Sequence, residues 1–395
     1  MLTRNKKMLI VGGGYADIPL ILSAKKIGLY VITTGNKPKD LGHKYSDEYH
    51  FADFSDYEAI YNLAKKLSVD FICPSCNDFA ALAASYAAEK LGIPGHDPFR
   101  TAEIIHHKDM FREFAESNRI LCPQAKGFSN REEAIKKINE FKLPVIVKPV
   151  DLTGGKGISV INNLNEGPKA IEKAFEISKA KRIVIEEFIE GSKHGFSAFL
   201  INGKVKFYFC DNEYYYINKY MVSATSTPSI ISSEIEQKLC KESEKIASIL
   251  SLKDGIFHVQ FILRGDEPFI IEICRRPPGD LYIKFVEYAT NVDYPTWIVR
   301  AFAGMDCSQI TNVKPNGYYV RHCIMTSKLG KVKDVMFDKS IENNIISSFE
   351  WWKKEDLVTD YMTHKLGIVF LKFDSMEDML SKADKMPELI KAVVE

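Results

Sequence analysis

The sequence has little net charge and no long apolar run. Its 53 basic and 52 acidic residues leave a formal net charge of +1 and form no block of one sign. This balance argues against a nucleic-acid-binding or membrane-surface protein. No stretch approaches the roughly 18 apolar residues of a transmembrane helix, and the first residues lack the apolar core of a signal peptide. We therefore expect a cytoplasmic protein that binds neither nucleic acid nor membrane.

The sequence also lacks a disulfide framework and a complete zinc motif. Its eight cysteines are spread over 395 residues, a length that needs no covalent staples. Cys73 and Cys76 have the spacing of half a zinc site, but no second pair follows them. Free thiols in a reducing compartment are the preferred interpretation.

A dinucleotide-binding fingerprint is missing at the place where it would be expected. The apolar run 8–11 leads into Gly12, Gly13 and Gly14, but the GxGxxG spacing is absent. Residues 33–36, at the end of the second predicted strand, contain no acid for a ribose. A nicotinamide dehydrogenase is thus disfavoured. The glycine turn either brings backbone close to a ligand or only joins a strand to a helix.

The order of predicted elements indicates an α/β and α+β multidomain fold. Strands alternate with helices over residues 1–107, which predicts a parallel sheet with helices on its faces. Residues 108–305 begin with an amphipathic helix and continue as strand-like runs, with a hairpin around 264–266. Residues 306–395 are rich in short strands, and residues 375–395 read as a closing helical tail.

Several polar residues have two interpretations at this stage. Asp17 is a plausible N-cap for the first helix. Asn77 and Asp78 follow a strand of the parallel sheet, where such folds bind ligands, although Asp78 also suits a helix cap. Tyrosines 214–216, beside Lys219, suit either substrate contact or core packing.

A first group of charged residues is typical of a polyanion site. Lys148 ends the strand-like run VIVKP, and the glycine loop 153–158 (TGGKGI) follows with its own Lys156. Glycines let such a loop lie flat over phosphates. The acidic apolar segment 186–191 (EEFIEG) comes some thirty residues later.

A second group combines one acid with two arginines. Glu272 lies between Ile271 and Ile273 in an apolar strand, and Arg275 and Arg276 follow it. A carboxylate with apolar neighbours is costly unless it meets a metal or a basic group. An acid beside an arginine pair suits magnesium and the transferring phosphate of a nucleotide.

Taken in order, Lys108, VIVKP, TGGKGI, EEFIEG and IIEICRRPPG resemble the ATP-grasp superfamily. The resemblance is closest to its carboxylate–amine ligase and biotin-carboxylase-like branch, which includes carbamoyl-phosphate-synthase-like proteins. It implies a pre-ATP-grasp domain (1–107), an ATP-grasp domain (108–305) with a mobile lid at about 125–188, and a strand-rich closing domain (306–395). It further implies ATP with Mg²⁺, or Mn²⁺ in its place, and a homodimer.

The resemblance implies an ATP-dependent carbon–nitrogen ligase that activates a small carboxylate as an acyl phosphate for attack by an amine. Arg276 and Lys156 would act on the transferred phosphoryl group, and Glu272 and Gln260 would bind the metal. His194, next to Lys193, stands where the family often has a ribose-binding glutamate. The nucleotide-binding residues implied in this way are Lys108, Lys148, Thr153, Gly154, Gly155, Lys156, Gly157, Glu186, Glu187, Phe188 and His194.

Two departures from the family pattern concern the metal. Gln260 stands where the first metal-binding acid is expected, and Cys274 replaces an asparagine, so Glu272 alone remains of three usual ligands. Asp280 or the nucleotide phosphates would have to supply the missing charge. A carboxylase or formyl-type transfer through an acyl phosphate, and an ATP-binding sensor or scaffold without turnover, are the alternatives.

Overall fold

The first part of the chain is a parallel α/β layer. The structure, a computed structural model, describes residues 6–152 and 154–395. Four parallel strands pair in the order β3-β2-β1-β4, as the sequence predicted. The strands are β1 Lys7–Val11, β2 Tyr30–Gly35, β3 Glu48–Phe51 and β4 Phe71–Pro74. The helices are α1 Ile18–Lys26, α2 Tyr57–Leu67, α3 Asp78–Leu91 and α4 Phe99–His106.

A small antiparallel sheet follows and forms a separate layer. Helix α5 (Lys108–Ser117) leads into it, and its strands pair in the order β5-β8-β6-β7. Its own apolar core lies between this sheet and two helices. These elements are β5 Ala125–Phe128, α6 Arg131–Lys137, β6 Val145–Pro149, β7 Ser159–Ile161, α7 Gly167–Ile177 and β8 Ile183–Glu187.

An eight-stranded sheet forms the centre of the molecule and runs in the order β13-β12-β9-β10-β11-β14-β18-β16. Its first half contains β9 Ser192–Ile201, β10 Lys204–Tyr214, β11 Ala224–Thr227, β12 Gly255–Arg264 and β13 Glu267–Cys274. The helices α8 Ser233–Leu250, α9 Tyr282–Thr290 and α10 Tyr294–Phe302 pack on it. One buried cluster joins this sheet to β1 and α1, so the parallel layer and the large sheet share a core.

The C-terminal part completes the large sheet and adds a three-stranded one. The latter pairs in the order β17-β15-β19. The strands are β14 Tyr318–Ile324, β15 Gly330–Phe337, β16 Ile345–Glu350, β17 Leu357–Val358, β18 Gly367–Phe373 and β19 Ile390–Val394. The helices are α11 Lys339–Glu342, α12 Met376–Ala383 and α13 Met386–Leu389. The strands β14, β16 and β18 pair into one sheet with β9–β13. The division of the chain at residue 305 stays a prediction.

Local expectations had mixed outcomes. The hairpin around 264–266 is confirmed by β12 and β13. The helical tail is wrong in part, because residues 390–394 pair with β15 as a strand. Asp17 stands at the N-cap position of α1, as predicted, but its side chain makes no cap hydrogen bond; its carboxylate accepts from the backbone N–H groups of Gly14 and Cys76. Among the described helices, none is long and apolar enough to cross a bilayer.

Candidate active site

Most of the predicted site residues meet in a cleft between the small sheet and the large one. A cavity of about 500 Å³ opens beneath β6 and β8, and we call it the first chamber. A second chamber of about 320 Å³ continues from it toward the parallel layer. Six residues line both chambers and mark their junction. They are Lys108, Ile158, Glu213, Tyr220, Gln260 and Glu272.

Two of the predicted nucleotide contacts form a buried ion pair at the inner wall of the first chamber. Lys148 Nζ donates to Glu186 Oε2 at 2.6 Å, from neighbouring strands β6 and β8. Arg112 Nε, from α5, lies 3.0 Å from Glu186 Oε1, and the three side chains are 0–8% exposed. Arg112 was missed by the sequence interpretation, although it lies one helical turn after Lys108.

Arg112 and Lys148 together keep Glu186 ionised. Burial by itself would raise the pKa of Glu186, but Arg112 and Lys148 outweigh it and lower that pKa. Burial lowers the pKa of Lys148, and the negative charge of Glu186 opposes the change. Glu186 is thus paired with two cations, with Lys148 through Oε2 and with Arg112 through Oε1.

The segment after Glu186 presents backbone carbonyl oxygens, rather than N–H groups, to a nucleotide. Glu187 and Phe188 both line the first chamber. The backbone N–H of Glu187 donates to Gln124 O at 2.8 Å, and that of Phe188 donates to Pro144 O at 3.2 Å. Only the carbonyl side of these two peptides is therefore open to an adenine amino group.

His194 is a predicted contact that the structure places outside both chambers. It does not line the described chambers, and its ring stacks on Phe261 at 5.3 Å between centroids. Its two ring nitrogens lie 2.7 Å from Ser192 Oγ and 3.2 Å from Ser229 Oγ. Lys193, the preceding residue on β9, points to the opposite face and lines the first chamber. Of these two neighbours, Lys193 and not His194 faces the first chamber.

The glycine loop covers the second chamber, where Gly154 and Gly155 line the wall. Gly155 has φ +77°, and a Cβ there would lie 2.7 Å from Tyr220 Cβ, so only glycine lets the loop pack this closely. Gly157 also has a positive φ of +72°. Lys156 is exposed at the outside of the loop and lines neither chamber. Thr153 lies outside the described residues.

The predicted metal ligands lie side by side at the junction of the chambers. Gln260 on β12 is directly opposite Glu272 on β13, and Lys108 Nζ lies 3.6 Å from Glu272 Oε1. Within 6–152 and 154–395, no group of three His, Cys, Asp or Glu side chains is arranged to hold an ion. Burial raises the pKa of Cys274 to about 12, so this thiol stays neutral and is a poor magnesium ligand. The oxygen donors of Glu272 and Gln260 do fit a hard divalent cation.

Arg276 lines the second chamber and is fixed by the parallel layer. Its Nε and Nη2 donate to the two carboxylate oxygens of Asp78, at 2.8 and 3.2 Å. Asp78 Oδ1 also lies 2.9 Å from His106 Nδ1. Asn77, not Asp78, caps α3 by accepting from Phe79 N, so the capping interpretation of Asp78 is wrong. Burial alone would raise the pKa of Asp78, but Arg276 and His106 hold it well below its usual value.

A further charged cluster closes the far end of the second chamber. Asp280 accepts from Tyr15 Oη at 2.6 Å and from Lys365 Nζ at 2.5 Å, and Arg321 Nη1 donates to the Asp280 carbonyl at 2.8 Å. Asp280 has φ +58°, a strained value for a non-glycine residue. These partners come from the first, middle and last parts of the chain, so sequence patterns did not reveal the cluster.

Two other features have structural explanations. A Cβ on Gly13 would lie 2.1 Å from the His43 ring, so the first glycine turn accommodates protein side chains. Of the tyrosines, Tyr214 bonds Ser226 and Tyr216 bonds the Ala383 carbonyl, as core packing predicts. Tyr215 lines the first chamber.

Comparison with known proteins agrees with this geometry. Residues 106–219 match the model of the phosphoribosylglycinamide synthetase ATP-grasp (A) domain. A formate-dependent phosphoribosylglycinamide formyltransferase from Prochlorococcus marinus subsp. pastoris is 25% identical over 393 residues, 98% of each chain. A phosphoribosylamine–glycine ligase from Pyrococcus furiosus is 30% identical over 291 residues, 68% of this chain and 66% of that one.

The fold agrees as well. The crystal structure of an L-amino acid ligase from Bacillus licheniformis superposes with a TM-score of 0.80 at 18% identity, covering 100% of both chains. The matched family model begins just before Lys108 and includes the small sheet, both lysines of the glycine-loop region and Glu186. The chain therefore belongs to the ATP-grasp superfamily, in the branch that holds carboxylate–amine ligases and biotin-carboxylase-like enzymes.

Proposed function

We propose that this ATP-grasp enzyme is a ligase that phosphorylates a small-molecule carboxylate with MgATP and passes the acyl group to an amine, releasing ADP and phosphate. The observation that carries the proposal is the junction of the two chambers. Lys108, Gln260 and Glu272 lie there. The first chamber, which holds the predicted nucleotide contacts Lys148 and Glu186, is on one side of them, and Arg276 is on the other. A γ-phosphate at the junction would face a carboxylate held in the second chamber.

The side chains divide the work according to their position. Lys108 and Lys148 would neutralise the nucleotide phosphates, and loop 154–157 would cover them and exclude water. Glu272 and Gln260 would hold the divalent cation, which lowers the charge of the transferring phosphate when bound. Arg276, oriented by Asp78, would stabilise the oxygens of the acyl phosphate. Exposed Lys156 would reach the phosphates only by closure of its loop.

The far end of the second chamber is suited to a polar substrate pair. Arg321 and Lys365 offer positive charge to a carboxylate, and Asp280 offers a carboxylate to an amine. Burial would raise the pKa of Asp280, but Lys365 and Arg321 lower it, so it stays ionised. The two relatives are named for formate and for glycine, which are both small carboxylates. We propose a carboxylate of similar size here.

An ADP-release screen tests the proposal. Purified protein with ATP, Mg²⁺ and pooled carboxylates and amines should release ADP and phosphate in at least one pool that holds both substrates. Glu272→Gln should abolish this release and retain most nucleotide binding. Nucleotide binding without ADP release in any pool would favour the sensor alternative. ADP release with bicarbonate as the only carboxylate would favour a carboxylase.

We also propose the domain division at residues 107 and 305 and a homodimer. A cavity of about 310 Å³ lies between α1 and β16, which is an edge strand, and Leu22 beside it is 49% exposed. Light scattering of purified protein should give twice the chain mass, and Leu22→Glu should reduce it.

Eight free cysteines support a cytoplasmic location.

A further inference from the structure

The metal site identified so far has one carboxylate fewer than its family pattern requires. Gln260 on β12 lies directly opposite Glu272 on the neighbouring strand β13, and the side-chain amide of Gln260 is neutral. Mg²⁺ favours carboxylate oxygens, and fewer anionic ligands weaken its binding. A second acid close to this pair would therefore matter for metal affinity.

Glu213 lies on the other side of Gln260. Its Oε1 accepts a hydrogen bond from Gln260 Nε2 at 2.8 Å, and its Oε2 accepts from Tyr215 Oη at 2.5 Å. Glu213, Gln260 and Glu272 thus form a row across β10, β12 and β13. All three line both chambers, so the row faces the junction.

Gly195 leaves room for a further acid beside this row. It belongs to β9, which separates β10 from β12, and it pairs with Asp211 on one side and Gln260 on the other. A Cβ on Gly195 would lie 2.7 Å from Asp211 Oδ2. Because this position has no side chain, the Asp211 carboxylate lies over β9, beside the row. The sheet therefore provides space for carboxylates where most strands would project a side chain.

Among the described residues, neither acid at this end of β10, Asp211 or Glu213, has a close counter-ion. Across the described parts of the chain, no lysine, arginine or histidine nitrogen lies within 4.0 Å of the Glu213 or Asp211 carboxylate. Asp211 is fully buried, and its Oδ1 has no hydrogen-bond partner. Lys193 and Arg321 line the same chambers at longer range. A cation at the junction would compensate carboxylates that are otherwise costly to bury.

We propose that Glu213 is a ligand of the divalent metal and supplies the carboxylate that the family pattern places at position 260. The inference rests on the proposed use of MgATP. Each carboxylate oxygen has a second lone pair, so Glu213 can bind a cation and keep its bonds from Gln260 and Tyr215. Those two donors then orient Glu213, as second partners of metal ligands commonly do.

The test is a Mn²⁺ titration followed by electron paramagnetic resonance, with a non-hydrolysable ATP analogue bound. Glu213→Gln should weaken Mn²⁺ binding by about 10- to 100-fold and leave metal-free binding of the analogue unchanged. The double variant Glu213→Gln/Gln260→Glu returns one carboxylate to the row and should recover affinity to within about threefold. Tyr214→Phe is the matched control, because it removes a tyrosine hydroxyl of the same strand that bonds Ser226 and does not contact Glu213.

The outcomes separate the two proposals. Wild-type Mn²⁺ affinity in Glu213→Gln would overturn the metal role of Glu213, and so would a loss that the double variant does not recover. Failure of the wild-type protein to bind Mn²⁺ with the analogue would instead contradict the proposed function. If Glu213→Gln does not fold by circular dichroism, Glu213→Asp replaces it, since this change withdraws the carboxylate by one methylene. Unchanged affinity in that folded variant would equally overturn the proposal.

Discussion

Removing the charge of Glu186 should destabilise the small antiparallel sheet β5-β8-β6-β7 more than any single surface charge change. The substitution Glu186→Gln keeps the size of the side chain and removes the anion between Lys148 and Arg112. Two buried cations would then face each other across a neutral amide. We expect the antiparallel sheet that holds β6 and β8 to open more often, while the large sheet stays closed.

The size of the effect follows from two short contacts. At 2.6 and 3.0 Å, each pair is worth roughly 5–6 kcal/mol of gross Coulomb energy at an effective dielectric constant of about 20. Desolvation offsets much of this, and removing one partner of a buried pair typically costs about 3–5 kcal/mol. Amide exchange that proceeds through opening of this small sheet should therefore accelerate roughly 100- to 5,000-fold.

Hydrogen exchange monitored by mass spectrometry measures this directly in residues 145–149 and 183–187. Glu187→Gln is the matched control. Glu187 is the next residue and pairs with Arg264 at 3.0 Å, but both side chains are more than a third exposed. Such a surface pair is worth at most about 1 kcal/mol. Equal exchange rates in the two variants would refute the reasoning.

The pH dependence provides an independent check. The folded-state pKa of Glu186 lies below its ordinary value of 4.5, because Arg112 and Lys148 outweigh the effect of burial. Its stabilising contribution is therefore present above about pH 4.5 and is lost as the pH falls through the folded-state pKa. The difference in protection between wild type and Glu186→Gln should shrink in acid. A difference that grows in acid would contradict the assigned charge state.

Three other substitutions separate chemical from structural roles. Arg276→Lys should lower kcat about 100-fold, because lysine cannot make the paired hydrogen bonds to Asp78. Nucleotide affinity should change little; steady-state kinetics and calorimetry measure the two quantities. Lys156→Ala should raise the KM for ATP about tenfold at an unchanged melting temperature, since the side chain is exposed. His194→Ala should cost about 1–3 kcal/mol of unfolding free energy and leave nucleotide affinity intact; a nucleotide defect in the folded variant would return His194 to the site.

The residues predictable from sequence were those within contiguous motifs. Lys148, the glycine loop and Glu186 lie in segments whose residue types carry the family pattern, and the structure brings them to one cleft. The alternation of strands with helices over residues 1–107 also predicted the parallel sheet. These features depend on residues that lie close together in the chain, so they can be recognised in a single sequence.

The missed contacts join positions far apart in the sequence. Asp78 orients Arg276 across 198 residues, and Glu213 reaches Gln260 across 47. Nothing local to Asp78 distinguishes a helix cap from a salt-bridge partner. The terminal strand was missed for a similar reason, since residues 390–394 are strand only through pairing with β15. Tertiary pairing decided each of these cases.

An isotope-transfer experiment tests the central claim, the acyl phosphate, most directly. A carboxylate that supports ADP release would be supplied with ¹⁸O in both oxygens, and the released phosphate would be analysed by mass spectrometry. Phosphorylation of the carboxylate followed by attack of the amine on carbon predicts one ¹⁸O atom in each phosphate. Phosphate without ¹⁸O, or release of AMP and pyrophosphate, would contradict the account.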